Sequence, residues 1–130
     1  KHYAMYKEML QYAESDQTRR MTLFYSVECG LKCRLMQDIG VDKYSELKQY
    51  CDNNQKKNLA GHDLRELIKA TIPNNRYRLD VIRLEKGNKK VSPLRFHELW
   101  RYGAIVYDEK ENENAERVLV KVAEWLENKL

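Results

Sequence analysis

The chain of 130 residues and 15.6 kDa is long enough for one domain with its own core and too short for two. Hydrophobic residues make up 42% and charged residues 34%, with only five Gly and two Pro, a balance that suits a folded helical protein and speaks against a disordered or collagen-like chain. A formal charge of +4 is compatible with an anionic partner without announcing one, and no apolar run approaches the roughly 18–20 residues that a bilayer requires, so no membrane span is expected.

Along the chain, Tyr3, Tyr6, Met9 and Leu10 recur at helical spacing and predict a first helix over residues 3–14. The opening Lys1-His2-Tyr3 carries no initiator Met, so the extreme N-terminus of the natural protein is expected to be missing. Asp16 or Thr18 can cap a longer helix whose stripe is Phe24, Val27, Leu31, Leu35 and Ile39, with Gly40 ending it. Within it Glu28 and Lys32 form an i,i+4 pair, expected to be partly exposed and worth only about 0.2–0.5 kcal/mol. Cys29, Cys33 and Cys51 are an odd set without paired metal spacing, which points to a reducing compartment, the cytoplasm. Cys29 and Cys33 are read as packing residues, because a zinc site would need Cys51 and His62 to converge on them; neither a metal nor a cofactor is expected.

Tyr44, Leu47 and Cys51 predict a short helix over residues 43–52, and the polar run 53–58 reads as a loop. Asp63 and Glu66 make a capping-box pattern ahead of Leu64, Leu67 and Ile68, predicting a helix to about Ala70 that Pro73 closes. His62, just before this helix, is read as a capping, packing or solvent-exposed residue rather than a proton-transfer group. Around residues 79–92 a small β-hairpin is expected, turning at Glu85-Lys86-Gly87-Asn88. After a Ser92 cap and Pro93, Phe96, Leu99 and Trp100 form a buried stripe leading to Arg101-Tyr102-Gly103. A last helix is expected from residues 112–114, with Ala115, Val118, Leu119, Val122, Trp125, Leu126 and Leu130 inward and Glu111, Glu113 and Glu116 near its positive end. The fold class that follows is all-α, a compact helical bundle with a small hairpin, in a single domain spanning residues 1–130.

Charge is unevenly distributed. Residues 76–101 carry eight cations against Asp80, Glu85 and Glu98, a net +5, whereas residues 102–130 carry four against seven acids, a net −3. The candidate nucleic-acid-binding residues are therefore Arg76, Arg78, Arg83, Lys89, Lys90, Arg95, Arg101 and Tyr102, with Tyr77, Phe96, Trp100 or Tyr102 either stacking on a base or anchoring the core. His97 and Arg101 are four residues apart on one helix, a spacing that lets a proton-transfer group and a phosphate fork share a cleft. Tyr102 or Tyr107 can add a hydroxyl donor.

The run Phe24-Tyr25-Ser26-Val27-Glu28-Cys29-Gly30-Leu31-Lys32-Cys33-Arg34-Leu35, the following Gly61-His62-Asp63-Leu64-Arg65-Glu66-Leu67, the later Arg101-Tyr102 and the helix through residues 115–130 together resemble the higher eukaryotes and prokaryotes nucleotide-binding family, HEPN. The resemblance covers most of the chain and implies an all-helical module that forms a homodimer and acts on RNA in toxin–antitoxin or antiviral defence systems, sometimes beside a nucleotidyltransferase or another defence-system protein. The family's catalytic pattern is an arginine followed, after four to six residues, by a histidine. Arg101 fits the arginine, but Val106, Tyr107 and Asp108 stand where the histidine would be. This departure ranks an RNA- or nucleotide-partner-binding component first. A variant metal-independent endoribonuclease, with Arg101 as phosphate anchor and His97 or Tyr107 as its polar companion, and a noncatalytic protein–protein interaction module are the alternatives.

Overall fold

The structure, a computed structural model, describes residues 4, 15–56 and 59–129, so the helix expected over residues 3–14 falls, but for residue 4, outside the described residues. Ser15, rather than Asp16 or Thr18, begins the long helix: its hydroxyl accepts the Thr18 amide at 3.2 Å, satisfying one of the free donors of the first turn. Helix α1 (Asp16–Ile39) then runs to Gly40, whose left-handed φ of 78° lets its N–H reach the Met36 and Gln37 carbonyls. Leu23, Phe24, Val27, Leu31 and Leu35 are buried along one side of α1, and Ile39 packs partly against the same core.

Helix α2 (Tyr44–Asn53) buries Leu47 and Cys51. Helix α3 (Leu64–Thr71) is capped by Asp63, whose carboxylate accepts the Glu66 amide at 3.3 Å. It ends at Thr71 because Ile72, immediately before Pro73, is extended (φ −109°, ψ 123°), and a 3-10 turn at Pro73–Asn75 follows. The hairpin pairs β1 (Ile82–Arg83) with β2 (Lys90–Val91) in antiparallel register, Ile82 opposite Val91. Its other edge is met by the segment after the next helix: Leu84 bridges Val106, the Tyr107 amide donates to the Arg83 carbonyl at 2.8 Å, and the Glu85 amide to the Ile105 carbonyl at 3.1 Å.

That next helix, α4 (Phe96–Tyr102), follows a 3-10 turn at Pro93–Arg95 and stops at Gly103. The last, α5 (Glu109–Lys129), starts upstream of residues 112–114 because Asp108 meets the free amides, its carboxylate taking Lys110 N at 3.0 Å and its carbonyl Glu111 N at 2.9 Å. Ala115, Leu119, Val122 and Leu126 face inward as expected, Val118 and Trp125 are only partly covered, and Leu130 lies outside the described residues. Five α-helices and one two-stranded sheet among the described residues thus make a mostly helical fold with a small hairpin. Helix α1 is central, packing on α3, α4 and α5 around one apolar cluster. At the α1–α5 joint Glu116 does more than face a helix dipole: it is buried and accepts from both Arg19 and Arg20.

Candidate functional site

Helix α4 decides which of its side chains reach solvent. Phe96, Leu99 and Trp100 take its inward positions, and the Trp100 indole donates to the buried Asn112 side chain at 3.0 Å. Phe96 and Trp100 are therefore core anchors, which leaves Tyr102, 74% exposed, as the aromatic beside Arg101 that is open to a ligand. His97 and Arg101 lie at the edge of α4, one turn apart, and each meets a different part of the α1 surface.

Arg101 is exposed and donates through Nη2 to the Tyr25 hydroxyl at 2.9 Å, while its own carbonyl accepts Gln17 Nε2 at 2.7 Å. The Tyr102 and Tyr25 phenols push its pKa further up, so it remains a cation at every accessible pH. Gly103 completes this clasp: its φ is +64°, and a Cβ there would lie 2.7 Å from Gln17 Oε1. Gly103→Ala is therefore expected to lower stability by about 1–2 kcal/mol through left-handed strain and displacement of Gln17. A urea denaturation midpoint checks it, and an unchanged midpoint would show that the clasp is not holding the α4 terminus.

His97 sits differently. Its ring stacks on His62 with centroids 4.3 Å apart and lies 5.9 Å from the Phe24 ring. Burial first, and then the neighbouring His62, hold its pKa below the ordinary 6.5, outweighing the opposing pull of Glu98 and Glu28. His62 is half-exposed and is fixed by Glu28, with Nδ1 2.7 Å from Glu28 Oε2; the same oxygen accepts Lys32 Nζ at 3.0 Å. The expected surface pair Glu28–Lys32 is thus part of a covered cluster, since Glu28 is only 4% exposed. Of the roles open to His62, junction packing and solvent exposure are both observed, and with Glu28 it joins the site as a residue the spacing did not single out. One signal was available: Glu28 lies four residues after Phe24 and three before Leu31, on the buried stripe itself.

The basic segment divides into engaged and open members. Arg83 is gripped by Glu111, with Nη2 2.6 Å from Oε2, and its guanidinium covers the Tyr107 ring at 4.5 Å. Hydrogen bonds from the Arg83 side chain and backbone hold the Glu111 carboxyl below the usual range. Tyr107 is therefore brought to Arg83, while His97 is brought to His62, which Glu28 holds. Arg95 pairs with Glu98 at 3.0 Å, Arg78 approaches Asp80 at 3.5 Å, and Arg76 lies over Tyr77 at 5.4 Å. Lys89 and Lys90 stand exposed on the return arm of the hairpin.

Cys51 is buried, but Cys29 and Cys33, expected to pack, are exposed because the buried stripe of α1 runs through Phe24, Val27, Glu28, Leu31 and Leu35 instead, and among the described residues no three His, Cys, Asp or Glu side chains converge to hold a metal ion. No described helix is long and apolar enough to cross a membrane. The chain matches no protein-family model, no curated protein and no solved structure. The chemistry of the site therefore rests on its own geometry: His97, its pKa lowered, stacked on a His62 that a covered carboxylate fixes, and one turn along α4 an arginine whose described partners are phenols.

Proposed function

We propose that the protein is a HEPN-like component that binds RNA or a nucleotide-containing partner through the face around Arg101. The observation that carries this reading is the setting of Arg101: an exposed guanidinium whose described partners, Tyr25 and Tyr102, are phenols rather than carboxylates. Arg83 and Arg95, by contrast, are each engaged by a carboxylate. A phosphate can replace the phenol partners of Arg101 through paired N–H donors, and Tyr102 offers a ring for an unstacked base. The sequence resemblance supplies the setting, a toxin–antitoxin or antiviral defence assembly whose partners would be a second copy of the chain, a nucleotidyltransferase or another defence-system protein.

A second reading, a variant metal-independent endoribonuclease, draws on the Glu28–His62–His97 cluster. A histidine kept neutral by burial can accept a proton from a ribose hydroxyl, and a carboxylate that fixes the adjoining ring would orient the pair. Retention and cleavage of structured and single-stranded RNA by the wild type, Arg101→Ala and His97→Ala separate the two. Binding that weakens about 10- to 100-fold in Arg101→Ala, the loss of one charge-assisted phosphate contact, without cleavage by any variant, supports the binding component. Metal-independent cleavage lost in both variants supports the nuclease. Neither binding nor cleavage removes both and leaves the protein-interaction module.

A further inference from the structure

Helix α3 presents Arg65 and Lys69 one turn apart, and the chain returns after the Pro73–Asn75 turn to set Tyr77 and Arg78, both from the basic segment, and Leu79 against them. Arg65 Nη2 donates to the Leu79 carbonyl at 3.1 Å and ties the returning segment to the helix. Between them lies a cavity of about 300 Å³, at the lower end of the sizes that hold small ligands. Its described walls combine three cations, one phenol ring and two buried aliphatic side chains, Ile68 and Leu79, and include no carboxylate. The nearest competitors are loose surface pairs: Lys69 lies 3.8 Å from Glu66 and Arg78 lies 3.5 Å from Asp80, each side chain at least 42% exposed. Pairs so open to water hold their partners weakly, so an entering anion can take over either cation.

We propose that this cavity binds a small aromatic phosphate ester of the size of a nucleoside monophosphate. The ring would lie against Tyr77, above the covered Ile68 and Leu79, and the phosphate would engage Lys69 and Arg78, with Arg65 anchoring the wall. Three cations select for an anion, and the Tyr77 ring selects for one carrying a flat body, which inorganic phosphate lacks. The proposal does not rest on the RNA reading at Arg101. A free mononucleotide and the phosphorylated end of an RNA share this chemistry.

Calorimetric titration of the full chain with adenosine 5′-monophosphate tests it, with adenosine and inorganic phosphate as comparison probes. Saturable binding of the monophosphate is expected, with each comparison probe at least about tenfold weaker, because each lacks one of the two recognised parts. Lys69→Ala and Arg78→Ala, at side chains 56% and 84% exposed and so dispensable for folding, should each weaken it about tenfold or more. Arg101→Ala should leave the affinity within about twofold, since Arg101 is not among the residues that line the cavity. Displacement of the monophosphate by a short 5′-phosphorylated oligoadenylate would assign the cavity to RNA ends, and a lack of displacement to the free nucleotide. Three outcomes overturn the proposal: no saturable binding, affinity indifferent to both cavity variants, or inorganic phosphate binding as tightly as the ester. Loss of RNA retention in Arg101→Ala alongside intact monophosphate binding keeps the two sites separate.

Discussion

Glu116→Ala is expected to destabilise the protein by about 3 kcal/mol or more, measured as a lowered urea midpoint with an unchanged slope. Glu116 Oε1 accepts Arg20 Nε at 2.9 Å and Arg19 Nη2 at 2.9 Å, while Oε2 accepts Arg19 Nε at 2.7 Å. These bonds cross from α5 to α1, and the Glu116 interaction is the main reason the Arg19 pKa is raised. The Arg20 side chain is only 6% exposed, so losing Glu116 leaves its charge covered and dependent on Glu109, which is 54% exposed and 2.8 Å away. An exposed carboxylate is screened by water and replaces little of a covered one. Glu109→Ala, which removes that outer partner and an acceptor of the Asn112 amide at 3.2 Å, should therefore cost clearly less, about 1 kcal/mol. Equal effects from the two substitutions would defeat the assignment of Glu116 as the centre of the joint. The same turn of α1 carries Gln17, which clasps the Arg101 carbonyl, so this joint also steadies the site.

The contrast between Glu116 and the apolar stripe of α1 shows where sequence reasoning reaches its limit. Phe24, Val27, Leu31 and Leu35 were legible because their spacing is a property of one helix, and the hairpin was legible because its turn residues are adjacent in the chain. Glu28 and Glu116 were not, because a charge on a buried stripe is tolerated only if its partner arrives from elsewhere, and Arg20 lies 96 residues from Glu116. The bridge from Leu84 to Val106 is hidden for the same reason: it forms only once α4 has turned the chain back at Gly103. At the site, Arg101 and His97 could be named from their shared helix, but the His62–His97 stack and its Glu28 support depend on α3, α4 and α1 meeting. The aromatic candidates were divided by packing alone, which buried Phe96 and Trp100 and left Tyr102 outside.

Phe24→Ala is expected to lower stability by about 3–5 kcal/mol and, in the same variant, to release His97. Phe24 has no exposed surface, and its ring meets those of Tyr25 at 5.8 Å, His97 at 5.9 Å and Trp100 at 6.3 Å, so its loss opens a cavity at the point where α1 and α4 pack. Burial is the largest cause of the lowered His97 pKa, and water entering that cavity should move it back up toward 6.5. The consequence for acid stability has a definite sign. Between the folded pKa and 6.5 the unfolded chain binds more protons at this position, so the contribution of neutral His97 is complete above 6.5 and is lost as pH falls through the folded value. In Phe24→Ala that portion of the acid sensitivity should shrink. His62→Ala provides the same test without opening the core, because His62 is half-exposed and contributes the second-largest lowering influence, the repulsion between the rings. NMR titration of the His97 ring, with urea unfolding at about pH 7.5 and pH 5.5, reads both effects. A native His97 that titrates at or above 6.5, or a pH slope identical in wild type and His62→Ala, would contradict the account. A raised His97 pKa in His62→Ala would tie the proton affinity of the stack to the meeting of α1, α3 and α4, the arrangement on which the nuclease reading depends.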